Sequence, residues 1–133
     1  MARLILDTTV LIDAERKGVT ALEELVDDED DAAIAALSVA ELVVGVELAD
    51  EKRRPGREAF LAALLDAVSV ESYDLDVAQA HGALLAHTQR SGQPRGAHDL
   101  IIAATARARG REVVSADGGA FSGLPEVVVA SRA

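Results

Sequence analysis

Apolar positions along this chain keep two rhythms. Short runs, Arg3 to Leu6, Ala32 to Leu37, Val68 to Tyr73, Glu112 to Ser115 and Glu126 to Ala130, have the length and bounding residues of strands. Between them lie longer stretches in which apolar residues return every three or four positions, as on one face of a helix. Thr8 to Lys17 is the first of these, closed by Gly18, and Thr20 to Val26 is the second. A third helix starts at Ser38 and gathers Leu42, Val43, Val46 and Ala49 on one side. Pro55 suits the start of a fourth, running to Ala67 with Phe60, Leu61, Leu64 and Leu65 inward. Asp76 to Gln79 reads as a capping box opening a fifth, whose Val77, His81, Leu84 and Leu85 share a face before Ser91-Gly92 and Pro94 end it. Ala97 to Arg109 is the most apolar helix and Gly110 its C-cap, so it belongs against the centre of the sheet.

Strands that alternate with helices, and are apolar throughout, predict a mostly parallel sheet of about five strands covered on both faces. The expected architecture is therefore α/β, three layers in the order α/β/α, with residues 1–133 forming a single domain. Gly45 falls inside a helix at a cost of about 0.5–1 kcal/mol relative to Ala, which predicts a close neighbour there. The acidic run Asp27 to Asp31 is expected to be a solvated loop.

Composition narrows the function. Aromatic residues are 2% of the chain, so it has no platform of rings for stacking bases. A formal net charge of −10 excludes a broad basic surface for nucleic acid. Nucleic-acid chemistry on such a chain needs cations to bridge to phosphate. With no cysteine there are no thiolate metal sites, and without a targeting or spanning segment the expectation is a cytoplasmic protein with no membrane association.

Ligands of open parallel sheets bind beyond the carboxyl ends of the strands. Four acids fall at such positions. Asp7 follows the first strand, Glu41 lies in the first turn after the second, Asp99 opens the apolar helix, and Asp117 follows the fourth strand. Two carboxylates about 5 Å apart at an effective dielectric near 20 repel by roughly 3 kcal/mol. A hard divalent cation relieves that repulsion, takes oxygen ligands and can activate water for phosphodiester hydrolysis.

The segments Leu6-Asp7-Thr8-Thr9, Ser38-Val39-Ala40-Glu41-Leu42 with Gly45, Gly96-Ala97-His98-Asp99-Leu100 through Ala104, and Val113-Val114-Ser115-Ala116-Asp117 with Phe121 resemble, in order and spacing, the motifs of PIN-domain ribonucleases. The overall length is similar to that of VapC toxins from bacterial toxin–antitoxin pairs. This resemblance implies a PIN-like fold and a magnesium-dependent endoribonuclease, with manganese (Mn2+) a possible substitute for Mg2+, cutting structured RNA such as tRNA or rRNA and thereby inhibiting translation. It implies a homodimer held in check by a VapB-like antitoxin that obstructs the acidic pocket. Carried over by motif, Asp7, Glu41, Asp99 and Asp117 are the catalytic and metal-binding acids, with Thr8, Ser115 and His98 as candidates for orienting substrate. Ser115 stands where Thr is usual, His98 where Asn is common, and Gly119-Ala120 replaces a frequently charged pair.

Each residue also has a plainer reading. Ser38 to Glu41 is itself a capping box, Asp7 and Asp99 could serve as helix caps or dipole partners, His81 sits on an apolar stripe, and Arg53, Arg54, Arg57, Arg95, Arg107 and Arg109 read as surface charge. A phosphatase of the haloacid dehalogenase type needs a second Asp two residues after the first, and position 9 is Thr. The remaining alternative is a catalytically silent PIN-like domain whose acidic face receives an Arg-rich peptide.

Overall fold

The computed structural model describes residues 1–26 and 29–131. Four parallel strands, β1 (Arg3–Leu6), β2 (Asp31–Ala35), β3 (Ser69–Glu71) and β4 (Glu112–Val114), lie in the order β3-β2-β1-β4. Helices α1 (Thr8–Lys17) and α2 (Val19–Leu25) connect β1 to β2. Two more, α3 (Ala36–Glu47) and α4 (Arg54–Ala67), connect β2 to β3, and α5 (Leu75–Ser91) and α6 (Ala97–Arg109) carry the chain back across to β4. The order reverses at β1, between β2 and β4, and such a switch point opens a crevice at the carboxyl edge.

Alternation along β1 sends its side chains to two separate cores. Leu4 and Leu6 pack with Leu11, Leu22, Leu42, Phe60 and Leu64 beneath the helices of the first half. Ile5 packs with Val77, Leu84, Ile102, Ala103 and Phe121 beneath α5 and α6. The α6 stripe lies on the sheet as its composition requires, and Gly110 ends it at φ 63°, a left-handed conformation that suits glycine. No helix among the described residues is long and apolar enough to cross a membrane.

Several local expectations give way. Glu126 to Ala130 contributes one parallel bridge, Val129 to Val113, rather than a full fifth strand. Helix α3 begins at Ala36, so Ser38 lies inside it, wholly buried, and caps nothing. That removes the capping-box reading of Glu41. Val43 on α3, Leu65 on α4 and Leu85 on α5 are exposed at 40%, 41% and 39%, because each inward stripe is narrower than the sequence periodicity suggests. The N-cap of α5 is Asp74, which accepts the Val77 N–H at 3.1 Å, and Asp76 merely follows it in the first turn. His81 is half-buried and its Nδ1 lies 2.9 Å from the Tyr73 hydroxyl.

The neighbour predicted for Gly45 is Arg57, whose Nη1 donates to the Gly45 carbonyl at 2.8 Å. Arg54 donates to the carbonyls of Val46, Glu47 and Ala49, so these two arginines of α4 satisfy the open carboxyl end of α3 rather than facing water freely. Of the acidic run, Asp27 and Asp28 lie outside the described residues, whereas Asp31 opens β2 and pairs with Arg3 and Arg111.

Candidate active site

Strand β1 delivers Asp7 to the switch point. The Asp7 N–H donates to the Val114 carbonyl at 2.9 Å, locking the end of β1 to the end of β4, and Asp7 is 1% exposed. It occupies the N-cap position of α1, yet its side chain makes no cap bond. Two hydroxyls take it instead: Thr9 and Ser115 both donate to its Oδ2, at 2.7 and 2.8 Å.

Glu41 comes from the second turn of α3. Thr8 lies within reach of two α3 groups, donating to Glu41 Oε1 at 3.1 Å and standing 3.2 Å from the buried Ser38 hydroxyl. The other oxygen of Glu41, Oε2, lies 3.4 Å from Nδ1 of the exposed His98 in α6.

Asp99 stands in the first turn of α6, bent back over Gly96. A Cβ at position 96 would sit 2.8 Å from Asp99 Oδ2, so only glycine leaves the carboxylate that place. Burial raises the pKa of Asp99, and the negative charges of Asp7, Asp117 and Glu41 raise it further, against a smaller lowering by His98. Each of the other three acids is thus near enough to be felt by Asp99.

Asp117 is exposed, on the loop after β4, where Arg95 fastens the backbone. Arg95 donates to the carbonyls of Gly119, Ala120 and Ser122, and Phe121 plugs the loop into the core at 0% exposure. The sequence reading of Arg95 as surface charge is therefore corrected: it holds the segment that carries the fourth acid.

Asp7, Glu41, Asp99 and Asp117 come from four different segments and gather at one edge of the sheet. Among the described residues no lysine or arginine pairs with any of them, and no three are close enough to form a ready-made ion cage. The donor set is entirely oxygen, carboxylates backed by hydroxyls, which is the chemistry magnesium and manganese prefer. The sequence places Thr8 and Ser115 beside the acids but not Thr9 or Ser38. The available signal is the pair of hydroxyl residues directly after Asp7, together with a serine in an otherwise apolar helix face.

Acids gathered at the switch point of a four-stranded parallel sheet point to a class, and the comparisons agree: residues 4–126 match the PIN domain family, and the chain belongs to it. Within that family its similarity is to VapC proteins. It is 28% identical over 117 residues to the tRNA(fMet)-specific endonuclease VapC of Shigella flexneri, covering 86% of each chain. Among solved structures, it superposes on VapBC-5 of Mycobacterium tuberculosis, a member of the VapBC family of toxin–antitoxin systems, with TM-score 0.76 and 30% identity over 97% of this chain and 98% of that one. DNA-bound VapBC of Salmonella typhimurium matches with TM-score 0.83 and 25% identity over 98% of each chain.

Proposed function

We propose that this chain is the toxin of a VapBC-type pair, an endoribonuclease dependent on magnesium or manganese that hydrolyses phosphodiester bonds in structured RNA and so inhibits translation. The observation that carries this reading is the convergence of Asp7, Glu41, Asp99 and Asp117 on one edge, where among the described residues no arginine or lysine pairs with them and where burial, and then the charges of the other three acids, raise the pKa of Asp99. Uncompensated negative charge held in place by the fold is what a divalent cation site requires.

In this reading the acids act as ligands. Asp7 offers Oδ1, because Oδ2 is already engaged by two hydroxyls. Thr8 restrains Glu41, and Gly96 leaves Asp99 room to lean over the start of α6. His98, exposed beside Glu41, orients RNA in this reading rather than holding the ion. When bound, the cation supplies positive charge to the phosphate oxygens and lowers the pKa of attacking water. The name of the Shigella relative favours tRNA as substrate, and the VapBC complexes among the structural relatives favour a VapB-like antitoxin as partner; a homodimeric toxin is part of the same reading.

The test is incubation of the purified chain, freed of any partner, with total tRNA and rRNA in magnesium, manganese or EDTA, beside Asp99→Asn. Discrete fragments that require the cation and vanish in the variant are expected. A folded chain that binds manganese yet cuts neither RNA class would instead favour a silent domain receiving an Arg-rich peptide.

A further inference from the structure

The hydroxyl of Thr9 sits at a junction that the acid ligands alone do not explain. Thr9 and Ser115 each carry one hydroxyl proton. Both protons go to the same acceptor, Asp7 Oδ2, at 2.7 and 2.8 Å, so the 3.4 Å approach between the two hydroxyls has no proton left to share. The Thr9 oxygen keeps its lone pairs and accepts the Ala116 N–H at 3.1 Å. Ser115 in turn accepts the Asp117 N–H at 3.0 Å. One side chain at the second position of α1 therefore ties Asp7 to the backbone immediately before Asp117. Among the described residues nothing donates to Asp7 Oδ1, the oxygen these two hydroxyls leave unengaged.

We propose that Thr9 is a positioning residue of the acid cluster. Its hydroxyl turns Asp7 so that Oδ1 faces the pocket, and it holds the Ala116–Asp117 backbone so that the fourth carboxylate is presented to the same cation. Groups that orient a ligand from behind typically change metal affinity or activity by about 10–100-fold when removed. The inference rests on the cation-binding reading of the pocket. Thr9 is exposed, so a valine there leaves no buried group without a partner and keeps the side-chain shape.

The experiment is manganese binding to the full chain by calorimetry for the wild type, Thr9→Val and Thr9→Ser, with melting temperatures recorded alongside. Expected are an affinity at least about tenfold weaker in Thr9→Val, recovery in Thr9→Ser, and melting temperatures close to wild type in both. A merely structural threonine would shift melting and leave affinity in the folded chain unchanged. Equal affinity of wild type and Thr9→Val overturns the role of Thr9 and leaves the pocket intact. A wild type that takes up no manganese overturns the cation site itself, and the inference with it.

Discussion

Two charge clusters of the molecule treat negative charge in opposite ways. Where α6 passes into β4, acids and arginines are matched. Arg111, its side chain 4% exposed, donates to Asp31 Oδ1 at 3.0 Å, to Glu71 Oε1 at 3.0 Å and to the Asp31 and Leu4 carbonyls. Arg109 holds Glu71 and Asp74, and Arg3 holds the other oxygen of Asp31. Hydrogen bonds from the Val77 N–H and from Arg109 lower the pKa of Asp74. At the switch point, four acids are gathered with one exposed histidine near them, and burial, then the charges of the other three acids, raise the pKa of Asp99. The same residue types thus stabilise the fold in one cluster and strain it in the other. With every arginine of this network engaged elsewhere, the charge of those four acids is not matched by a described arginine or lysine.

The strongest way to break the comparison is to remove the matching charge. Arg111→Ala leaves Asp31 and Glu71 with one arginine each and an opened interior, which by analogy with other buried pairs costs about 3 kcal/mol, roughly 10 °C in melting temperature at this size. Chemical denaturation would measure it, while manganese affinity in the folded variant should match wild type. A loss of affinity in that variant would show that the two clusters are coupled.

Glu41→Gln sharpens the other side. Because α3 is already under way before Ser38, no capping box is lost, and the amide can still accept from Thr8. Folding should be retained while cation affinity drops at least about tenfold, read by calorimetry. Unchanged affinity would return Glu41 to a structural role.

The smallest effect is expected from Asp99→Asn without divalent cations. With its folded pKa above the ordinary 3.8, Asp99 binds more protons native than unfolded just above that value, so stability falls as pH rises through the interval and stays lower beyond it. The asparagine removes that penalty. Melting temperature should rise by a few degrees at pH 7 in EDTA and be unchanged near pH 3. Asp74 follows the opposite sign: its stabilisation is present above 3.8 and is lost as pH falls through its lowered value. A variant no more stable than wild type at pH 7 would mean that neither burial nor the neighbouring acids destabilise the Asp99 charge.

Much of this was legible in order along the chain. The boundaries of α1 and α6, the helix start near Pro55 and the cap at Gly110 follow from period, proline and glycine, which act locally. The last strand failed because a β-branched run becomes a strand only when a partner edge continues beside it, and beyond Val113 only Val129 finds one. Ser38 misled because serine before an apolar run signals a cap in sequence, whereas here its hydroxyl is spent on Thr8 across the interior.

The sequence by itself determined where along the chain the four acids fall, at or just after strand ends and in the opening turns of helices, which local pattern sets. Only the tertiary structure decided their company. That Arg95 grips the loop of Asp117, that Thr9 accepts the Ala116 N–H across 107 positions, and that Arg109 and Arg111 serve a separate acid cluster all depend on contacts between distant segments. A side chain's charge is written in the sequence; whether that charge is matched is a distance, and distances between remote residues exist only once the chain has folded.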